Sequence, residues 1–162
     1  MAADAGTFEE RFDDLYRLAY RVAFRVVGSR EEAEDIAQES LVKTCMSWRR
    51  VAAYAEAFTA KVAGGRAIDS WRRQRRRPEP ETAGVTADTV DRVGVRLELR
   101  EALAQLPRRQ REVVVLRYLA DVSEADVAAA LGCSAGTVKQ HASRGLDALR
   151  ARLGPTRFLE SV

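Results

Sequence analysis

Apolar residues recur at three- and four-residue steps through most of the chain, the period of helices with one buried face, so the expected fold class is all-α. Phe8, Phe12, Leu15, Ala19, Val22 and Val26 predict a helix over about 7–27, which Gly28 ends. Ser29 with Glu32 has the spacing of a capping box and opens a second helix. Its inward side is expected to carry Ala33, Ile36, Ala37, Leu41, Val42 and Cys45. Residues 48–57 form a short, less regular connection. A third helix follows with Phe58, Val62, Gly65, Ile68 and Trp71 along one side, and it runs into WRRQRRR at 71–77. The stretch 78–90 is rich in Pro, Thr, Gly and acid without a sustained apolar period, and is expected to be an extended linker. Val95, Leu99, Leu103 and Leu106 mark the next helix. Pro107 then suits the first turn of another that carries Val113, Val114, Leu116 and Leu119. The last residues, GPTRFLESV, are expected to fray.

The pattern is sharpest over 121–150. Ser123 caps a short helix with Asp126 three residues on, Val127, Ala128 and Leu131 face inward, and Gly132 stops it. Ser134 caps a second helix in which Val138, Ala142, Leu146, Leu149 and Leu153 form the buried row. Thr137, Lys139, Gln140, Ser143, Arg144 and Asp147 are left on the outer surface. A short helix, a glycine turn and a longer helix with a polar, partly basic face make a helix-turn-helix. A helical hairpin packed inside an all-α domain would carry the same local pattern.

Two small helical domains follow, at 7–77 and 95–153, with 78–94 as a flexible linker. The 162 residues suffice for this, and 46% hydrophobic with 31% charged residues is ordinary for a globular protein. Net charge is only +3, but the arginines are unevenly placed. WRRQRRR suits phosphate contacts through counterion release, although cations also favour any helix C-terminus. On the second helix Glu31, Glu34, Asp35, Gln38 and Glu39 share the outer face, which is either a solvated face or a site for a basic partner. The start, MAADAGTFEE, has no apolar core of a signal peptide, and no apolar run is long enough to cross a bilayer. Cys45 and Cys133 are too few for a disulfide framework or zinc site. A cytoplasmic protein without membrane insertion is therefore expected. His141 is the only histidine, and no metal-ligand cluster or glycine-rich phosphate loop occurs, so no enzyme, metal or cofactor is expected.

The order of these motifs carries a resemblance. EEAEDIAQESLVKTCMSW, AIDSWRRQRRR, a linker, and ALAQLPRRQREVVVLRYLADVSEADVAAALGCSAGTVK together resemble the bacterial extracytoplasmic-function (ECF) sigma factors, two-domain members of the sigma-70 family. The resemblance implies binding to core RNA polymerase and promoter-directed initiation of transcription. Asp35, Gln38 and Glu39 match the motif that docks on the β′ clamp helices, where an Arg-rich partner would suit them. The third helix and the loop before it would handle the −10 element, where flipping a base costs a few kcal/mol and aromatic stacking returns about 1–3 kcal/mol per base. The residues concerned are Trp48, Arg49, Tyr54, Arg66, Arg72, Arg73, Arg75 and Arg76. Trp71 would be either a further stacking surface or core. Helix-turn-helix residues Ser134, Thr137, Lys139, Gln140, Ser143 and Arg144 would meet the −35 element in the major groove. Arg108, Arg109 and Arg111 would add phosphate contacts or be solvated. The same domain would contact the β flap, the linker would thread polymerase channels, and an anti-sigma factor is a further partner to consider.

The chain departs from the family in its third helix. Gly64-Gly65 stands where an Arg-Asn-like pair is usual, and Phe58 where Trp is common. Two mid-helix glycines cost about 1 kcal/mol each, which calls for a bend or a close backbone approach. No promoter sequence transfers, because the outer face of the reading helix is less basic than usual. Two rival readings account for less of the chain. A stand-alone LuxR-like regulator explains 121–150 but not the acidic strip or the arginine cluster. A helical protein that sequesters a partner without touching DNA leaves both basic surfaces without a role.

Overall fold

Thr7 closes the first turn of α1 (Phe8–Val27) with a reciprocal capping box: its hydroxyl accepts from the Glu10 amide, and the Glu10 carboxylate accepts from the Thr7 amide at 2.8 Å. Gly28 ends the helix at φ 73°, a left-handed conformation that favours glycine. Ser29 caps α2 (Arg30–Met46) by accepting from the Glu32 amide. Here the expected capping box is only half made. The Glu32 carboxylate instead accepts from Ser70 and Gln74 and so ties α2 to α4. A short α3 (Trp48–Val51) and a 3-10 turn (Ala52–Tyr54) lead into α4 (Ala55–Arg75). The computed structural model describes residues 6–76 and 87–161 and contains no strand among them.

The packing faces of α2 and α4 differ from the expected ones. On α2, Val42 is 60% exposed and Cys45 is exposed, while Ser40 and Thr44 are buried in their place. The Ser40 hydroxyl donates to the Ile36 carbonyl at 2.6 Å, and that of Thr44 to the Ser40 carbonyl at 2.9 Å. Thr44 also meets Thr59 of α4 at 2.9 Å. Hydroxyls satisfied this way can sit in a core that their polarity alone would forbid. On α4 the inward face is Ala60, Ala63, Gly64, Ala67, Ile68 and Trp71, whereas Phe58 and Val62 are half-exposed and Gly65 is exposed. Small residues let α4 approach α1 closely, and that fit outweighed the larger side chains in setting the helix rotation.

Helix α5 (Ala87–Gln105) begins inside the stretch read as linker, so residues 87–94 are helical. Residues 77–86 lie outside the described residues. Leu99, Ala102, Leu103 and Leu106 supply the buried row that holds α5 in place. Pro107 caps α6 (Arg108–Val114) from just outside it, with ψ 142°, and a π-helical turn follows (Val115–Leu119). Ser123 caps α7 (Glu124–Leu131), Gly132 ends it at φ 64°, and Ser134 caps α8 (Ala135–Ser161) by accepting from the Thr137 amide. α8 packs tightly on α6, since a Cβ at Gly145 would lie 2.6 Å from Val114. The expected fraying of the last residues is not what is found. The backbone breaks at Gly154 and then continues helically to bury Phe158 under Arg150, whose guanidinium lies 4.8 Å from the ring.

One continuous buried cluster runs through both sets of helices. Its junction is Val115 of the π turn, which seats beside Gly64 of α4. A Cβ at Gly64 would stand 2.6 Å from the Val115 side chain and 3.7 Å from Val22. The first mid-helix glycine is thus explained by close approach. Its absent side chain makes a notch, and fully burying a valine is worth about 1.5–3 kcal/mol. No side chain other than its chain neighbours comes within 4 Å of a Cβ at Gly65, so packing gives the second glycine no such reason.

Candidate functional site

On the outer face of α2, Asp35, Gln38 and Glu39 are all exposed and lie at helical spacing. Val42 and Met46, 60% and 84% exposed, continue the same stripe at i+7 and i+11 from Asp35. Acid early and apolar late therefore form one ridge that no element among the described residues covers. Glu39 is also ion-paired with Arg66 of α4.

The 48–54 segment brings Trp48 and Tyr54 to the N-terminal end of α4, both half-buried. Trp48 packs edge-on against Phe8, with ring centroids 5.5 Å apart, and Arg11 lies 5.9 Å over it. The same Arg11 donates to the Ala52 carbonyl and pairs with Glu56, which fixes the turn. Arg49 is exposed beside it. At the other end of α4, Trp71 is buried at 7% exposure with Arg75 and Arg100 on its ring, at 5.5 and 5.7 Å. It is core, and both open readings of it are thereby resolved in favour of packing. Arg73 and Arg76 are exposed, Arg72 donates to the Ala104 carbonyl at 2.5 Å, and Arg75 pairs with Glu101 at 3.0 Å.

Arg66, Arg72, Arg73 and Arg76 line a cleft of about 950 Å³ together with Lys43 and Lys61, two cations that motif reading passed over. Lys61 had a signal: 61, 65, 69, 72, 73 and 76 fall on one face of a helix, whereas Lys43 lies on α2 and had none. Arg108 and Arg111 of α6 close the cleft from the other side, with Asp69 and Glu112 as the only acids lining it among the described residues. Glu112 is engaged by Arg108 and Arg109, at 3.0 and 3.2 Å. Burial holds the Arg111 guanidinium below its ordinary range, and the charge of Arg72 adds to the effect. Low-dielectric walls with one sign of charge focus a positive potential suited to phosphates.

In the helix-turn-helix, Lys139, Gln140, Ser143 and Arg144 all project outward from the first turns of α8, on the side opposite the buried Val138, Ala142 and Leu149. Lys139 lies 3.8 Å from Glu124 of α7. Ser134 and Thr137, at the start of α8, bond to each other through their hydroxyls at 2.9 Å. The −35 candidates therefore share one surface, whereas the −10 candidates divide between the Trp48–Tyr54 corner and the cationic cleft. Among the described residues no cluster of metal-ligating side chains exists, and no helix is long and apolar enough to cross a membrane.

Comparison with known proteins covers both sets of helices. Sigma-70 region 2 matches residues 11–77, and Sigma-70 region 4 matches residues 96–149. The RNA polymerase sigma-E factor of Streptomyces avermitilis is 34% identical over 151 residues, covering 90% of this chain and 84% of that protein. The ECF RNA polymerase sigma factor SigF of Caulobacter vibrioides is 37% identical over 135 residues, covering 80% and 75%. SigL of Mycobacterium tuberculosis is 32% identical over 167 residues, covering 94% and 92%. The fold is shared with the sigma factor RpoE from Bartonella quintana, solved in complex with the anti-sigma factor NepR, at a TM-score of 0.53 and 20% identity over 90% of this chain and 96% of that one. Matches in both sets of helices favour neither a stand-alone regulator nor a sequestering protein, and the chain belongs to the sigma-70 family as an ECF RNA polymerase sigma factor.

Proposed function

We propose that the acidic ridge of α2 docks this sigma factor on the clamp helices of polymerase β′, and that two separate surfaces then read the promoter. The observation that carries the reading is the division of labour on the surface: an acidic ridge, a cationic cleft and an outward-facing recognition helix lie on different elements. Asp35, Gln38 and Glu39 would supply acceptors to a basic partner, with Val42 and Met46 as the apolar part of the same contact. Arg66, Arg72, Arg73, Arg75 and Arg76, with Lys43 and Lys61, would hold backbone phosphates at the −10 element. Arg49 would add to them, and Trp48 and Tyr54 are placed for stacking on an unpaired base.

In the major groove of the −35 element, Lys139, Gln140, Ser143 and Arg144 would supply the base and phosphate contacts, with Ser134 and Thr137 near a phosphate at the helix start. The helices from α5 onward would act as the −35 domain and also meet the β flap. Helices α1 to α4 would act as the docking and −10 domain. An anti-sigma factor, as seen with the Bartonella protein, would be a partner of the same surfaces.

The test is reconstitution with core polymerase and run-off transcription on genomic fragments, with charge reversal at Asp35 and Glu39 alongside. The reading expects initiation at a defined set of promoters and its loss in the variant, caused by weaker core binding. Initiation by the variant at the wild-type level would overturn the docking assignment.

A further inference from the structure

The cleft between α4 and α6 holds more positive charge than its own acids can answer. Eight of its lining residues are Lys or Arg, against the two carboxylates of Asp69 and Glu112. Glu112 is taken up by Arg108 and Arg109. Glu39 holds Arg66 from outside the cleft. Lys43, Lys61, Arg73 and Arg76 make no ion pair among the described residues. Arg72 and Arg111 meet on the same Ala104 carbonyl, at 2.5 and 3.3 Å, so two guanidinium groups converge on a neutral oxygen. Burial, and then the charge of Arg72, disfavours the charged form of Arg111. An anion seated between the walls would relieve that crowding.

The floor of the cleft points the same way. Gly65 lines it, and a Cβ there would meet nothing within 4 Å. Alanine would be the more stable residue at such a helix position, so neither packing nor helix propensity accounts for this glycine. What it does is leave the cleft open. The family's usual asparagine at this position would stand in that space. The opening is thus a feature of this chain, made where it departs from the common pattern.

Shape and lining narrow the occupant. At about 950 Å³ the cleft lies within the roughly 300–1,000 Å³ range of small-molecule sites. Its only apolar side chains are Val62 and Val115, and no aromatic ring lines it, so nothing there would stack on a nucleotide base. The α4 cations run from Lys61 to Arg76, roughly 22 Å along the helix axis at about 1.5 Å per residue. A single phosphate would reach only two or three of them, whereas a row of linked phosphates would follow the whole wall.

We infer that the cleft is a binding site for a linear inorganic polyphosphate, which lies over Gly65 between the cations of α4 and Arg108 and Arg111 of α6. Guanidinium groups on both walls give the phosphates paired N–H donors, and the lysines add point charges. Binding to the free chain holds whether or not the same cations meet a promoter.

Calorimetric titration of the full-length protein at about 0.15 M salt, where diffuse surface attraction is screened, tests the site. Sodium tripolyphosphate should bind one to one and at least tenfold more tightly than orthophosphate. ATP should bind no more tightly than tripolyphosphate, and tighter binding of ATP would overturn the assignment to an inorganic chain. Gly65→Leu fills the floor without changing charge and should weaken tripolyphosphate binding at least tenfold, with helical circular dichroism retained. Lys61→Gln and Arg108→Gln, on opposite walls, should each weaken it severalfold. Arg144→Gln, which removes the same charge from the outer face of α8, should leave it unchanged. Equal losses for Arg108→Gln and Arg144→Gln would reduce the site to diffuse charge and overturn it, as would a well-folded Gly65→Leu that binds like the wild type. Should Gly65→Leu lose its helicity, the comparison of Lys61→Gln and Arg108→Gln with Arg144→Gln decides the matter.

Discussion

Glu39 of α2 and Arg66 of α4 are ion-paired, so an acid of the proposed docking ridge holds a cation of the cleft proposed to meet the promoter. Both side chains are more than a third exposed, at 58% and 42%, and such pairs contribute about 0–1 kcal/mol to folding. The pair therefore matters for function more than for stability. Charge reversal at Glu39 should weaken core-polymerase binding about tenfold, equivalent to about 1.4 kcal/mol. It should change unfolding free energy by less than about 1 kcal/mol. Asp35→Lys should show the same loss of binding, and Arg66→Ala should leave core affinity intact. Titration of labelled protein with core polymerase measures all three, and equal losses for Arg66→Ala and Glu39→Lys would show that the pair, not the ridge, is what polymerase reads.

The buried Thr44–Thr59 contact gives a second prediction with a built-in asymmetry. Thr44 donates to the Ser40 carbonyl, so the proton shared with Thr59 comes from Thr59. Thr44→Val strands the Thr59 donor and should cost about 1–3 kcal/mol. Thr59→Val removes a donor but leaves Thr44 bonded, and should cost less. The double variant should be milder than the sum of the two. Urea unfolding of the three proteins checks this, and strictly additive losses would contradict the proposed direction of donation.

Much of the fold was legible because helix ends announce themselves. Ser29, Ser123 and Ser134 all cap the helices expected of them, and Gly28 and Gly132 take the left-handed conformation that ends α1 and α7. Rotation about the helix axis was less legible. Val42 and Cys45 were placed inward on polarity alone, but Ser40 and Thr44 hide their hydroxyls on backbone carbonyls and take the core positions. The linker expectation fails over 87–94 because the composition of 78–90 runs across a boundary that Leu99 and Leu103 pull into helix. In the site, the spacing of motifs indicated which residues to bring together. It could not show that Arg72 and Arg75 are occupied by α5, because that contact depends on residues thirty positions away.

The glycines give a third prediction, in two opposite directions. Gly65 is exposed in the middle of α4 with open space about its Cβ position, so Gly65→Ala should stabilise by about 0.5–1 kcal/mol. Gly145 lies against Val114 and the Gln110 carbonyl, where a Cβ would come within 2.6 and 3.4 Å. Gly145→Ala should therefore destabilise by about 1–3 kcal/mol through overpacking of α8 on α6. Thermal unfolding distinguishes the two, and a stabilised Gly145→Ala would mean that α8 can slide away from α6 at little cost.

The recognition helix gives the last prediction, and it separates choosing a site from holding on to DNA. Arg144 is exposed on the outer face of α8, and no acid among the described residues is ion-paired with it. Lys139 stands on the same face but leans towards Glu124 at 3.8 Å, which shares its charge with a neighbour. A base-reading arginine contributes about 1–3 kcal/mol of discrimination, whereas a phosphate-binding lysine contributes nearly equally at every sequence. Arg144→Ala in the holoenzyme should thus reduce use of the preferred promoter about tenfold or more and narrow its advantage over other promoters. Lys139→Ala should weaken all promoters alike and lower the salt slope of binding by about one. Competitive transcription from paired promoters across a salt series measures both effects. A uniform loss for Arg144→Ala would assign that residue to phosphate and leave Gln140 and Ser143 as the base readers.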